Sequence, residues 1–97
     1  MATYVMLANF TEQGIRNVKD TVKRAEAFKE AAKGAGVTVK DLYWTLGQYD
    51  VVATAEAQDE MAITALGLSL AKAGNVRTQT LRAFAVKEMT EILGKVK

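Results

Sequence analysis

The chain has 97 residues, no cysteine and no histidine, and 13 basic side chains against 11 acidic ones. These counts exclude a disulfide, a thiol nucleophile, an imidazole base and a Cys or His metal site, and a net charge of +2 spread along the chain falls short of the clustered basic face that nucleic acid requires. With 49% apolar and 25% charged residues the composition is that of an ordinary globular protein, and no apolar run approaches the ~20 residues of a membrane helix. The expectation is one domain over residues 1–97 in the cytoplasm, with no cofactor, no metal, and neither nucleic acid nor membrane as partner.

Residues 3–10 (TYVMLANF) are apolar on both alternating faces, Val5 and Leu7 on one, Tyr4, Met6 and Phe10 on the other. That is the pattern of a strand covered on both sides. Thr11-Glu12-Gln13-Gly14 breaks it as a loop. Over residues 17–35 the period lengthens. Val18, Val22, Ala25, Phe28 and Ala32 draw one stripe along a helix. Asn17 is the predicted N-cap and Gly34 or Gly36 the predicted stop. The opposite face mixes signs, with Asp20 and Arg24 spaced to pair, and reads as solvated.

Residues 37–46 are rich in β-branched and aromatic side chains and predict a second strand; residues 50–57 predict a third. Gly47-Gln48-Tyr49 between them demands a tight hairpin, with Gly47 supplying a positive φ. Asp59 is the expected N-cap of a second helix whose stripe is Ile63, Leu66, Leu70 and Ala73 and whose end is Gly74-Asn75. Residues 76–85 make a fourth strand, and 87–96 a short last helix carrying Met89, Ile92, Leu93 and Val96.

The order β-α-β-β-α-β, with right-handed crossovers, predicts an α+β ferredoxin-like sandwich with an extra C-terminal helix, sheet order 4-1-3-2 and both main helices on one face. The second face then has no cover of its own although its residues are apolar, and monomers seldom expose such an area. Two sheets packed face to face, a dimeric α+β barrel, resolve this, with the last helix folding over the partner.

The same topology brings the 10–16 segment, the 47–50 hairpin and the Gly74-Asn75 turn to one end of the sheet. Asp50 and Arg77 flank the end of the first strand there, roughly 9–10 Å apart, with Glu12, Gln13, Asn75 and Thr78 around them. Tyr49 and Asp50 are the catalytic candidates, as proton donor and base. Trp44, Tyr49, Asp50, Arg77, Thr78, Thr80 and Arg82 are the ligand-binding candidates. Each also has a structural reading. Asp50 can bond turn amides or pair with Arg77 or Arg24, and Trp44 or Tyr43 can be interface core. Thr78, Thr80, Arg82 and Phe84 share one face of their strand and Arg77, Gln79 and Leu81 the other. Alternation alone does not say which is inner. If Arg82 is buried it must be paired.

Leu46-Gly47-Gln48-Tyr49-Asp50, Asp59 at a helix start, and the run from Gly74-Asn75-Val76-Arg77-Thr78 to Phe84 resemble the GYD-domain family. So do Phe10-Thr11-Glu12-Gln13-Gly14 and Arg24-Ala25-Glu26. The resemblance spans nearly the whole chain. It implies a small ferredoxin-like protein of the dimeric α+β barrel group and carries no established activity. Three functional readings follow. The first is a homo-oligomeric small-molecule-binding or regulatory module with a cleft at the sheet end. The second is a cofactor-independent enzyme of monooxygenase or isomerase type using Asp50, Tyr49 and an arginine. The third is a purely structural assembly subunit. The balance leans away from an enzyme, with a second copy of the chain as the expected partner.

Overall fold

The structure is a computed structural model that describes all 97 residues. In chain order its elements are β1 (Ala2–Phe10), α1 (Glu12–Arg16), a 3-10 turn at Val18–Asp20, α2 (Thr21–Gly34), β2 (Val37–Trp44), β3 (Val51–Ala57), α3 (Glu60–Lys72), β4 (Val76–Ala83) and α4 (Val86–Leu93). The four strands form one antiparallel sheet ordered β2-β3-β1-β4. Helices α2 and α3 cover one face, giving a ferredoxin-like α+β sandwich.

The covered face carries Tyr4, Met6 and Ala8 of β1 and Ala53, Ala55 and Ala57 of β3, all buried. In β2 the parity changes midway. Val37 pairs with Ala57 and Val39 with Ala55, whereas Leu42 pairs with Ala53 and Trp44 with Val51. The register shift between Val39 and Asp41 is a β-bulge, and the extra residue turns Leu42 and Trp44 to the same face as Val37. A strict alternation over residues 37–46 has no place for it.

The N-terminal half of the first βα unit departs from expectation. Thr11-Glu12-Gln13-Gly14 is not a loop: Thr11 caps α1, its hydroxyl accepting from the Gly14 amide at 3.0 Å. Asn17 is the C-cap of α1 rather than the N-cap of a long helix, and α2 begins only at Thr21. The break turns the stripe, so Val18 and Val22 are exposed while Ala25, Phe28 and Ala32 face the sheet. Arg24 does not pair with Asp20. Its Nη1 donates to the Asn17 carbonyl at 2.8 Å and its Nη2 to that of Gly14 at 3.4 Å. The strands also end sooner than their composition suggests, at Trp44 and at Ala83, and β3 starts one residue later, at Val51.

Asp59 caps α3, its Oδ1 accepting from the Ala62 amide at 2.9 Å. Gly36, Gly47 and Gly74 take positive φ where α2 ends, where the hairpin turns and where α3 ends.

The core is thin. Ile63 and Val37 are the largest fully buried side chains, and alanines fill most of the rest. Packing is also uneven along the sheet. Ala32, Val37, Ala57 and Ile63 close one end tightly, whereas Phe10, Phe28, Leu70 and Val76 at the other end are only partly covered. Helix α4 has little contact with the rest of the chain, and its Val86, Met89 and Leu93 are exposed. The molecule is accordingly extended, 50 × 31 × 18 Å, with a Cα radius of gyration of 14.6 Å against about 12.5 Å for a compact chain of this length. No helix is long and apolar enough to cross a membrane.

Candidate functional site

Three backbone anchors hold the end of the sheet where the hairpin, α1 and the Gly74-Asn75 turn meet. The Thr11 amide donates to the Asn75 carbonyl at 3.1 Å and its hydroxyl to the Gly74 carbonyl at 2.5 Å. Gly14 lies directly against the Asn75 carbonyl, so close that a Cβ there would collide with it. Asp50 ties down the hairpin, its Oδ2 accepting from the Phe10 amide at 2.9 Å while its own amide donates to the Ala8 carbonyl at 2.9 Å. The Asp50 carboxylate is therefore joined to β1 and pairs with neither Arg77 nor Arg24.

On the uncovered face at this end, Asn9, Glu12, Tyr49, Arg77 and Gln79 line an open polar cleft. The Tyr49 hydroxyl donates to Gln79 Oε1 at 3.2 Å, reaching across β1 from the hairpin to β4. Arg77, opposite Asn9 in the ladder, is exposed and has no acidic side chain within 4 Å. The cleft can thus offer a guanidinium, a phenol and an amide to a polar ligand.

The other candidates lie elsewhere. Trp44 and Thr78 are on the helix side, in the wall of an apolar cavity, where the indole Nε1 donates to Thr21 Oγ1 at 3.0 Å. Thr80 lines a shallow groove between β4 and α3. Arg82 sits at the far end of β4, opposite Tyr4. Its guanidinium lies 4.6 Å from the Phe84 ring centroid and 5.8 Å from that of Tyr4, within cation–π range. It bonds Glu88 Oε2 at 3.2 Å and the Thr3 and Ala83 carbonyls. Arg82 is thus a paired, half-buried residue that joins the root of α4 to the sheet.

Glu88 completes that joint. Its Oε1 accepts from the Ala85 amide at 3.1 Å, one half of a capping box, since Ala85 has no side-chain oxygen to return the bond. The Ala85 amide first, and then Arg82, hold the Glu88 carboxyl below its ordinary value of 4.5. No three His, Cys, Asp or Glu side chains cluster in a way that could hold a metal ion.

Gly14, Arg24 and Gln79 also shape this end, although the sequence offered Arg24 only as an ion-pair partner and neither of the others as a site residue. Only the Gly14 segment had a local signal, a threonine three residues before the glycine and a glutamate after that threonine, the signature of a capped helix.

The sheet, its two covering helices and the polar cleft at the hairpin define a small ferredoxin-like α+β protein. The model of the GYD domain matches residues 4–93, and the chain belongs to that family. Among curated proteins it is 34% identical, over 92% of this chain and 95% of the other, to the "glutamine synthetase and cystathionine beta-lyase binding protein" of Thermus thermophilus. Among solved structures it resembles TTHA0845 from Thermus thermophilus, with a TM-score of 0.58 and 25% identity over 89% of this chain and 96% of that one.

Proposed function

We propose that this protein is a homo-oligomeric binding and regulatory module that associates through its uncovered sheet face and has an enzyme as its protein partner. The observation that carries the reading is the surface of the single chain. At 10.5 kDa a compact monomer exposes about 5,400 Å², whereas this one exposes 6788 Å². The surplus is larger than the ~800 Å² that each partner contributes to a standard interface.

The composition of the face agrees. Val5, Leu7, Val52 and Leu81 make an apolar centre, with Leu81 and Tyr43 exposed. Asp41, Thr54, Glu56 and Gln79 form a polar rim around it, which is the anatomy of an interface. Packed face to face, two copies become a dimeric α+β barrel, the exposed side of α4 lies over the second copy, and the cleft of Tyr49, Arg77 and Gln79 is roofed by the partner. A small polar or anionic ligand held there would report to both copies. The enzyme partner is inferred from the Thermus relative, whose name gives glutamine synthetase and cystathionine β-lyase as what it binds. A catalytic role for the chain itself has less support, because Asp50 is taken up by the Phe10 amide.

Sedimentation equilibrium tests the self-association, with a dimer or a multiple of dimers expected for the unmodified chain. Leu81→Asp should give a folded monomer, since it places a charge in the centre of the paired faces. A monomer in the unmodified protein would overturn the pairing. Calorimetric titration against purified glutamine synthetase and cystathionine β-lyase tests the partner class, and saturable binding to one of them is expected. No heat with either enzyme would remove the partner reading while leaving the pairing intact.

A further inference from the structure

Between the loosely packed ends of α2 and α3 the sheet leaves a cavity of about 80 Å³ that opens to the surface. This is several times what one water molecule needs, and eleven of its fourteen lining residues are apolar. The cause is local. Ala8 and Ala53 on the sheet and Ala25 on α2 leave space that larger side chains would fill, and Phe10, Phe28 and Trp44 supply flat walls. An apolar chamber of this kind holds water poorly, since a water needs two or more polar partners.

Three polar residues, Thr21, Arg24 and Thr78, complete the lining. Arg24 uses its guanidinium only on the carbonyls of Asn17 and Gly14 and has no acidic partner within 4 Å, although a guanidinium carries five N–H donors. The Thr21 hydroxyl accepts from the Trp44 indole, which leaves its own proton to donate. An uncompensated cation and a free hydroxyl donor therefore stand beside an apolar chamber. Carboxylates satisfy a guanidinium better than any neutral acceptor.

The geometry points to a binding site for a small monocarboxylate with a short apolar tail, the carboxylate on Arg24 and Thr21 and the tail in the cavity against Trp44 and Phe28. The proposal uses residues of a single chain and does not rest on the pairing of copies or on the enzyme partner. It differs from the polar cleft of Tyr49 and Arg77, which opens on the other face of the sheet and meets this cavity's wall only at Phe10 and Thr78.

Trp44 is the only tryptophan, so its fluorescence reports the site directly. Titration with hexanoate should shift Trp44 emission saturably, and 1-hexanol should bind more weakly. Arg24→Gln should weaken hexanoate binding by about tenfold or more, the loss expected of a charge-assisted hydrogen bond, and leave 1-hexanol unchanged. Ala25→Leu, which fills the chamber, should abolish both responses without lowering the melting temperature. Because Arg24 also holds two backbone carbonyls, Ala25→Leu decides alone if Arg24→Gln fails to fold. The proposal is overturned by an unmodified protein that gives no saturable shift at millimolar hexanoate, by an Arg24→Gln variant that binds as tightly, or by an Ala25→Leu variant that still responds.

Discussion

Asp50 joins the hairpin to β1 through one charge-assisted hydrogen bond, from the Phe10 amide. Asp50→Ala leaves that amide without its partner and should cost about 1–3 kcal/mol, whereas Asp50→Asn keeps an acceptor and should cost less. Urea unfolding of the two variants measures the difference. Gly14→Ala is the sharper case. Alanine favours a helix by up to about 1 kcal/mol, but its Cβ would meet the Asn75 carbonyl, which is backbone and pinned by the Thr11 amide. The collision should prevail, with a net loss of about 1–3 kcal/mol by the same unfolding measurement. At this scale the sequence suggested that Asp50 bonds amides of its own turn or an arginine, whereas its partner is the Phe10 amide on β1. The need for glycine at position 14 was not legible. The threonine and glutamate before it mark a helix start, but the contact that forbids a side chain comes from a turn sixty residues away.

Helix α4 is tethered to the sheet by Arg82 and Glu88, and its tether titrates. Glu88 binds its proton less readily in the folded chain than in the unfolded one. Its contribution is therefore complete above the ordinary carboxylate value of 4.5 and fades as pH falls through the lower folded value. Circular dichroism should show α4 loosening on acidification, and Glu88→Gln should lose that part of the pH dependence. The main elements were readable from periodicity, since a stripe of period 3.6 and the β-branched runs leave few alternatives. Their joints were less so. The break at Val18–Asp20 carries no proline or glycine, and the backbone there is held by Arg24 bonding two carbonyls, a tertiary cause. The bulge after Val39 likewise shows only in the pairing of β2 with β3.

At the scale of the molecule the sequence indicates a sheet apolar on both sides, and the structure decides which side the helices take. Tyr4, Met6 and Ala8 go under the helices, and Val5 and Leu7 go to the open face. Hydrophobicity does not choose between these sets, because both are apolar. The choice is legible in β3, where Ala53, Ala55 and Ala57 alternate with Thr54 and Glu56, which belong on the open face. Alanines at 53, 55 and 57 let α2 and α3 approach the sheet closely, whereas the larger Val52, Leu81 and Tyr43 on the other face suit a broad flat contact. The candidate site was legible only as a region. The three segments do converge at one end of the sheet, but the seven residues singled out divide among a polar cleft, an apolar cavity, a groove beside α3 and the root of α4.

The unequal closing of the sandwich, tight around Ala57 and Val37 and slack around Phe10 and Trp44, also grades the free energy of opening along the sheet. Amide hydrogens of Ala55 and Ala57 should exchange with solvent only when the whole domain unfolds, and those around Trp44 and Val51 through smaller openings that leave the far end intact. A guest can then enter between α2 and the sheet on the timescale of a local fluctuation while the rest of the protein stays folded.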